Sequence, residues 1–375
     1  MDSAAIQRPP RADTQVFFRS PALAWTILSL LLFVVVEGLV FRLGWYNKYL
    51  EPASSAGTVE DYLSWLKRYP HAHRPEVMVI GDSRIAEGFS ARAAGQNTNL
   101  RFGFWNFGIG GSAPRIWYYM LRDGDPTRRR FAALVIPFDG YPDEDRPDPV
   151  ADRPNDLNFA IGRLKLSDCL DFALSMESRA SEGKALGGCL FKGIPLRRDA
   201  QAFLEDIPGR IQRTKDFRNN GLTYIDDYSG LTDTLQGLSA DYLNRTIHFP
   251  PGLTEQREAS IHSILMRPAI PQRGEVTRYR KLWIGRILDL YKDSPTRIIF
   301  LELPRGPVPR PDVTEPSRFL DSVSGRPRLT VLPSSTFRDM EKPEFYFDGL
   351  HFNRTGRGIF TARLAAAVEQ ALGRH

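Results

Sequence analysis

Val77-Met78-Val79-Ile80-Gly81-Asp82-Ser83 is a short apolar run that ends in a glycine and two polar residues. A continuous apolar run of this length is typical of a strand buried on both faces of a parallel sheet. In open α/β sheets, ligands bind beyond the carboxyl ends of the strands. We therefore expect the Ser83 hydroxyl at the reactive edge of a sheet, although Gly-Asp-Ser is also an ordinary turn sequence.

Strand and helix patterns alternate along the rest of the chain. Further strands are predicted at residues 99–107, 131–138, 297–303 and 329–332. Helical stripes are predicted at 59–66 (capped by Thr58), 112–121, 276–290 and 356–372. Strands that alternate with helices predict an α/β fold, with a parallel sheet covered on both sides.

Composition places the chain among globular proteins. It has 375 residues, 42% of them hydrophobic and 25% charged, which excludes a disordered or collagen-like chain. The net charge of +6 is spread thinly and only Arg128–Arg130 forms a basic cluster, so no nucleic-acid partner is expected. Two cysteines exclude a disulfide scaffold or a zinc array.

The N-terminal part contains a nearly continuous apolar stretch from Ala22 to Phe41. Twenty helical residues span about 30 Å, the thickness of the hydrocarbon core of a bilayer. Three arginines precede the stretch, which by the positive-inside rule keeps residues 1–21 in the cytoplasm. We expect an uncleaved transmembrane anchor at 22–43 rather than a signal peptide, because the stretch is too long and lacks a small-residue cleavage site.

Two features near this anchor have open interpretations. Glu37 lies inside the apolar stretch, where it either extends to the lipid headgroups or contacts a partner membrane protein. Cys169 and Cys189 lie twenty residues apart and form either one disulfide, which a location outside the cytoplasm permits, or two buried thiols.

The chain then divides into a linker with a helix at 44–75 and one domain at 76–375. Within that domain, residues of about 141–270 lack clear strand-helix alternation and begin with a loop rich in proline and aspartate. We interpret them as a mostly helical insertion.

A second chemical motif, Asp348-Gly349-Leu350-His351, lies near the C-terminus. A carboxylate three residues before a histidine can orient the imidazole and stabilise its cation, as an activated serine requires. Asn353 follows and is positioned to cap the last helix. The alternative is an ordinary loop histidine beside a solvated aspartate.

The third motif is glycine-rich and runs from Asn106 to Ser112, at the end of the second predicted strand. Glycines allow N–H groups to approach a ligand closely, although a flexible turn has the same composition. Phosphate-loop and dinucleotide motifs do not fit the spacing, so no cofactor is expected. His71 and His73 form a pair with no third ligand in view, so no metal is expected either.

These three motifs together resemble those of the SGNH (GDSL-type) hydrolase superfamily. The resemblance covers roughly residues 76–140 and 295–372 and implies a flavodoxin-like three-layer parallel sheet. It also implies Ser83 as nucleophile, His351 as general base and Asp348 as its orienter, with Gly111 as an oxyanion donor.

One block departs from the family pattern. Where the family has a Gly-x-Asn-Asp segment with a donor asparagine, this chain reads Ile136-Pro137-Phe138-Asp139-Gly140-Tyr141. An ionised Asp139 would repel an oxyanion, so we assign it to substrate positioning. Loss of one oxyanion donor typically costs roughly 2.7–4 kcal/mol.

Among SGNH proteins the chain is most similar to membrane-anchored members of bacterial envelopes, such as alginate O-acetyltransferases and the D-alanyl transfer protein of teichoic acids. They share the anchor and a first block that continues with arginine, as Ser83-Arg84 does here, so Arg84 is assigned to substrate binding. The resemblance implies acyl transfer to a polysaccharide outside the cytoplasm, with a membrane-bound O-acyltransferase as acyl donor. The alternatives are a serine esterase or deacetylase and a catalytically silent glycan-binding scaffold.

Overall fold

The structure is a computed structural model that describes residues 21–69, 73–139, 155–176, 178–227, 232–266, 277–309, 323 and 325–373. The strands are β1 (Glu76–Gly81), β2 (Gly103–Gly108), β3 (Phe131–Asp139), β4 (Ser239–Asp241), β5 (Thr246–His248), β6 (Arg297–Leu303) and β7 (Leu329–Val331). The helices are α1 (Pro21–Val36), α2 (Ser55–Arg68), α3 (Ser83–Gly88), α4 (Ala91–Asn97), α5 (Pro114–Gly124), α6 (Asp156–Ala160), α7 (Cys169–Leu174), α8 (Arg179–Leu190), α9 (Gly193–Glu205), α10 (Ile207–Asp227), α11 (Glu255–Leu265), α12 (Thr277–Leu290) and α13 (Arg354–Gly373).

Five strands form one parallel sheet in the order β2-β1-β3-β6-β7. Every residue of β1 is buried, as the apolar run predicts. The chain continues from β1 to one side and from β3 to the other, so the strand order reverses between these two strands. In sheets of this kind, the reversal opens a crevice at the carboxyl ends of the strands.

Helices cover both faces of the sheet, which confirms the predicted α/β class. Side chains of α2, α5 and α12 pack against one face in a single apolar cluster. Side chains of α3, α4, α11 and α13 pack against the other. The strongly predicted elements lie where expected, with α13 within two residues of its predicted bounds.

Two predicted boundaries are wrong for local reasons. The second strand begins at Gly103 rather than Asn99, because Asn99 and Leu100 have φ of 50° and 60° and form a left-handed turn. Helix α2 is capped by Ser54, whose hydroxyl accepts from the Gly57 N–H, and not by Thr58. Thr58 lies inside that helix.

The described residues between β3 and β6 are mostly helical, as expected, and α6–α9 share a third apolar cluster with the segment after α1 and with side chains of α2, α5 and α12. Cys169 and Cys189 form a disulfide that joins the start of α7 to the end of α8. The antiparallel pair of β4 and β5 was not predicted. Both strands are too short for a periodic signal.

The N-terminal helix begins as α1 and ends in a π-helical turn, Glu37–Arg42. Together they form 22 helical residues, which contain an 18-residue window with a mean hydropathy of 2.4 and are long and apolar enough to cross a membrane. The predicted cytoplasmic residues 1–21 lie, except for Pro21, outside the described residues.

Neither interpretation of Glu37 is correct, because Glu37 is buried against the chain's own domain with 7% exposure. Its carboxylate accepts the backbone N–H groups of Lys192 and Gly193, at 2.6 and 2.9 Å. Unpaired N–H groups at the start of a helix attract anions, so Glu37 caps α9. The apolar helix is thus fastened to the domain at its carboxyl end.

Candidate active site

Ser83 is the first residue of α3 and follows directly on β1. Asp82 caps this helix through a hydrogen bond from the Arg84 N–H of 2.9 Å. A Cβ at Gly81 would lie 2.4 Å from Ile85 Cγ1, so only glycine allows α3 to turn so closely over the strand end. The local sequence therefore places the Ser83 hydroxyl at the carboxyl edge of the sheet.

His351 and Asp348 meet Ser83 at this edge, across a sequence distance of 268 residues. His351 Nε2 lies 2.8 Å from Ser83 Oγ, and His351 Nδ1 lies 2.9 Å from Asp348 Oδ2. The other carboxylate oxygen, Asp348 Oδ1, accepts the N–H groups of Leu350 and His351, both at 2.7 Å. The structure thus brings together the three side chains predicted from separate motifs.

This geometry is that of a serine activated by a histidine. With the Nδ1 proton donated to Asp348, Nε2 of the neutral imidazole is free to accept the Ser83 hydroxyl proton. Two backbone donors hold the carboxylate and leave its second oxygen for the ring. The arrangement can perform nucleophilic acyl chemistry.

The electrostatics strengthen His351 as a base. Burial lowers the pKa of His351, but the hydrogen bond and charge of Asp348, with the charges of Glu87 and Asp82, outweigh burial and raise the pKa. Burial raises the pKa of Asp348, but the His351 ring and the backbone donors outweigh it, so this pKa is lowered. Asp348 therefore stays ionised while His351 takes up a proton.

The glycine-rich turn lies beside Ser83. A Cβ at Gly110 would come within 3.9 Å of Ser83 Cβ. The turn is fixed to the end of β1 by two bonds to the Gly81 carbonyl, from the Ile109 N–H and the Ser112 hydroxyl, both at 2.9 Å. Gly111 has φ of 73°, a conformation that favours glycine. Its role as an oxyanion donor stays a prediction.

Asn106 holds α3, the helix that begins with Ser83, in place, a role that the sequence did not predict. Its side-chain amide donates to the carbonyls of Ile85, Ala86 and Phe89, at 2.9–3.2 Å. Its oxygen accepts the Gly108 N–H at 2.9 Å. One buried side chain thus joins the end of β2 to α3.

The two remaining predicted site residues have different outcomes. The Arg84 guanidinium forms a close ion pair with Asp82, with Nη2 at 2.7 Å from Oδ2, and its side chain is 17% exposed. Its charge is therefore already paired within the site. Asp139 ends β3 opposite Leu303, at the carboxyl edge that also carries Ser83, but its side chain is outside the described part. Substrate-binding roles for both stay predictions.

Glu87 is a site residue that the sequence did not predict. It lies one helical turn after Ser83 on α3, and therefore on the same helix face. Burial raises the pKa of Glu87, while the charge of His351 lowers it and those of Asp348 and Asp82 raise it. The spacing of four residues from the serine was the available signal. The site thus contains a further acidic group that is electrostatically coupled to His351.

A cavity of about 490 Å³ lies at the opposite, amino-terminal edge of the sheet. Its charged lining consists of Arg74, Glu76, Arg129, Arg130, Arg297 and Arg328. None of these residues belongs to the predicted site, and ligands of parallel sheets bind at the other edge. We therefore assign the chemistry to the edge that carries Ser83.

Within the described residues, no group of three or more His, Cys, Asp or Glu side chains could hold a metal ion. His71 lies outside these residues, so the His71–His73 pair is not described.

Comparison with protein-family models and with curated proteins finds no match for this chain. The resemblance to SGNH hydrolases therefore rests on the sequence motifs and stays a prediction.

Proposed function

We propose that this protein is a membrane-anchored serine O-acyltransferase of the SGNH type, which acetylates a cell-envelope or secreted polysaccharide. The single observation that carries the proposal is the hydrogen-bonded relay of Ser83, His351 and Asp348 at the carboxyl edge of the sheet. The strand order is that of a flavodoxin-like sheet, which agrees with the SGNH fold that the motifs imply.

The reaction proceeds in two acyl-transfer steps. Ser83 Oγ attacks the acyl carbonyl while His351 Nε2 takes the hydroxyl proton, and this proton passes to the leaving group as its bond to the acyl carbon breaks. A sugar hydroxyl then attacks the acyl-serine and gives its proton to His351. The bond from the acyl carbon to Ser83 Oγ breaks, and His351 returns the proton to Ser83.

Backbone N–H groups stabilise the oxyanion in both steps. The N–H groups of Ser83 and Gly111 act as donors, and the positive end of α3 adds to their effect. Asp139 and Arg84 position the acceptor. Asp139 stands where the family has a donor asparagine, so this chain works with one side-chain donor fewer.

The site lies outside the cytoplasm, in the periplasm of a bacterium whose inner membrane holds the anchor. An apolar helix of 22 residues and the Cys169–Cys189 disulfide both support this location, because disulfides persist in oxidising compartments. The acyl group comes from a membrane-bound O-acyltransferase partner.

The test is an acyl-transfer assay with purified full-length protein. The protein is incubated with an activated acetyl ester and an acidic oligosaccharide, and the products are analysed by mass. Acetylated oligosaccharide is expected from wild type and from Ser260→Ala, which removes an exposed hydroxyl on α11, but not from Ser83→Ala. Free acetate as the sole product, lost in Ser83→Ala, would identify an esterase, and equal turnover by Ser83→Ala would rule out the site.

A further inference from the structure

Large exposed apolar side chains are unevenly distributed in this protein. Beyond residue 42, those of the described residues fall within 43–45 and 166–211, apart from Tyr69, Leu100 and Leu243. Exposed apolar residues are normally scattered singly over a soluble surface, whereas a concentration of them marks an interaction surface. We name the group of Leu166, Leu170, Leu174, Leu190, Phe191 and Ile194 the apolar collar.

The collar includes a row of exposed leucines along α7 and the 3-10 turn Leu166–Asp168 before it. Leu166, Leu170 and Leu174 are spaced four residues apart and are 60–65% exposed. The opposite side of α7 is also apolar, because Cys169, Phe172 and Ala173 are buried. Asp171 is the one polar residue of α7, so apart from it both sides of the helix are apolar, and apolar helix surface belongs in a protein core or in lipid.

The two acidic residues of this segment form ion pairs with neighbouring helices. Asp168 is paired with Arg122 and Asp171 with Arg286, at 2.8 and 2.7 Å. Both partners belong to helices that pack on the sheet. These ion pairs fix the orientation of α7, so the leucines face outward as part of the folded state.

The collar adjoins the apolar N-terminal helix. The rings of Phe33 and Phe191 pack with centroids 5.6 Å apart. Glu37 caps α9 just after Phe191, and the Arg42 guanidinium lies against the Cys189 carbonyl and within 4.0 Å of Cys169 Sγ. The turn from α8 to α9 therefore runs along the last turns of the helix.

The contact between Phe33 and Phe191 indicates what covers the collar. The 22 residues Pro21–Arg42 make a helix of about 33 Å, only slightly longer than a hydrocarbon core of about 30 Å. The apolar stretch has Arg19 and Ser20 directly before it, so if Phe33 lay outside the bilayer only residues 21–32 of the stretch would remain to cross it, and as a helix they span about 18 Å, which is too short. A helix that spans the membrane therefore carries Phe33, and Phe191 with it, into the lipid.

We propose that the apolar collar is immersed in the bilayer leaflet at the carboxyl end of the N-terminal helix, so that the domain is seated on the membrane rather than tethered above it. The proposal rests on the membrane-spanning part of the proposed function and is independent of its chemistry. The surroundings suit a lipid interface. Trp45 is 49% exposed just after the helix, and Arg197 and Arg198 are exposed on α9 one turn after Ile194, where they can meet lipid phosphates.

Single-cysteine labelling of the full-length protein tests this surface. Both native cysteines are in the disulfide, so an environment-sensitive fluorophore reacts only with an introduced thiol. The collar variants are Leu174→Cys and Ile194→Cys. Leu243→Cys is the matched exposed leucine in the loop between β4 and β5, and Leu28→Cys marks the N-terminal helix itself.

The proteins are reconstituted in vesicles of phosphatidylethanolamine and phosphatidylglycerol. We expect labels at 28, 174 and 194 to be quenched by spin-labelled lipid and several-fold less by aqueous iodide than the label at 243. If lipid quenches only the label at 28, and the labels at 174 and 194 are as accessible to iodide as the label at 243, the proposed immersion of the collar is wrong. The membrane-spanning helix is then still supported. If iodide also reaches the label at 28, both the immersed collar and the membrane-spanning helix are wrong.

Labelling in native membranes shows whether lipid or another protein covers the collar. If the labels at 174 and 194 are shielded in native membranes but open to iodide in pure lipid vesicles, a protein covers the collar and the proposal is wrong. Shielding in both supports the bilayer. Thermal unfolding that matches wild type shows that each variant is folded.

Discussion

At the scale of single residues, the reactivity of Ser83 depends on the proton affinity of His351. Asp348 supplies the hydrogen bond and the nearest charge, and Glu87 adds a second charge from the helix that carries the serine. The protonated imidazole cannot accept the serine proton. We therefore expect the proposed activity to rise with pH as His351 loses its proton.

Replacement of Glu87 by glutamine tests this coupling. Glu87→Gln removes a carboxylate that raises the pKa of His351, so the pKa of His351 falls. Because the neutral imidazole is the active form, the rising limb of kcat/KM against pH is expected to move to lower pH. The matched control Glu255→Gln changes an exposed carboxylate at the start of α11 and leaves the limb in place. A Glu87→Gln profile that superimposes on wild type would show that Glu87 does not act on His351.

At the scale of the elements, a buried ion pair joins the helical segment to the sheet. Arg115 on α5 and Asp156 on α6 are both fully buried, with Nη1 and Oδ2 2.9 Å apart. Arg115 also donates to the Ser175 carbonyl at 2.9 Å, just after α7. One guanidinium thus holds two helices of the segment against a helix that packs on the sheet.

We expect Asp156→Asn to destabilise the protein by about 3–5 kcal/mol, because it leaves the Arg115 charge buried without its partner. The measurement is the free energy of unfolding in urea. The control Asp206→Asn alters an ion pair with Arg213 in which both side chains are about half exposed, and its effect is expected to be far smaller. Equal effects of the two variants would contradict a structural role for the buried pair.

The sequence predicts some parts of the fold and of the candidate site better than others. Ser83 and His351 were predictable because each motif adjoins a strand or helix with a strong periodic pattern, and parallel strands bring such ends to one edge. The contact of Glu37 with the start of α9 was not predictable, because its partners, Lys192 and Gly193, lie 155 and 156 positions further along the chain. Ser54 and Thr58 are both suitable caps four residues apart, and only the backbone decides between them.

At the scale of the whole molecule, the anchor helix, the helical segment and the sheet domain are joined by contacts near one disulfide. Arg42 at the end of the N-terminal helix contacts both disulfide-bonded cysteines. The collar helices α7 and α8 are the two that the disulfide links. With the N-terminal helix in a membrane, as we propose, this junction would set the orientation of the domain.

Removal of the disulfide is expected to destabilise the protein. The bond closes a loop with a sequence separation of 20 residues, so the paired variant Cys169→Ser with Cys189→Ser should lose roughly 3 kcal/mol through the entropy of the unfolded chain. Thermal unfolding with and without a reductant measures the loss. Wild type in reductant should fall toward the Tm of the variant, and the variant itself should not respond to reductant. An unchanged Tm in both comparisons would contradict this role.

The most direct test of the central claim is labelling with a serine-directed fluorophosphonate, followed by peptide mass mapping. The account predicts a single labelled residue, Ser83, in the wild-type protein and in Ser260→Ala. It predicts no label in Ser83→Ala, and labelling slowed by about 10³-fold or more in His351→Ala, because the serine then lacks its base. A wild-type protein that stays unlabelled, or that carries the label on another serine, would contradict the account.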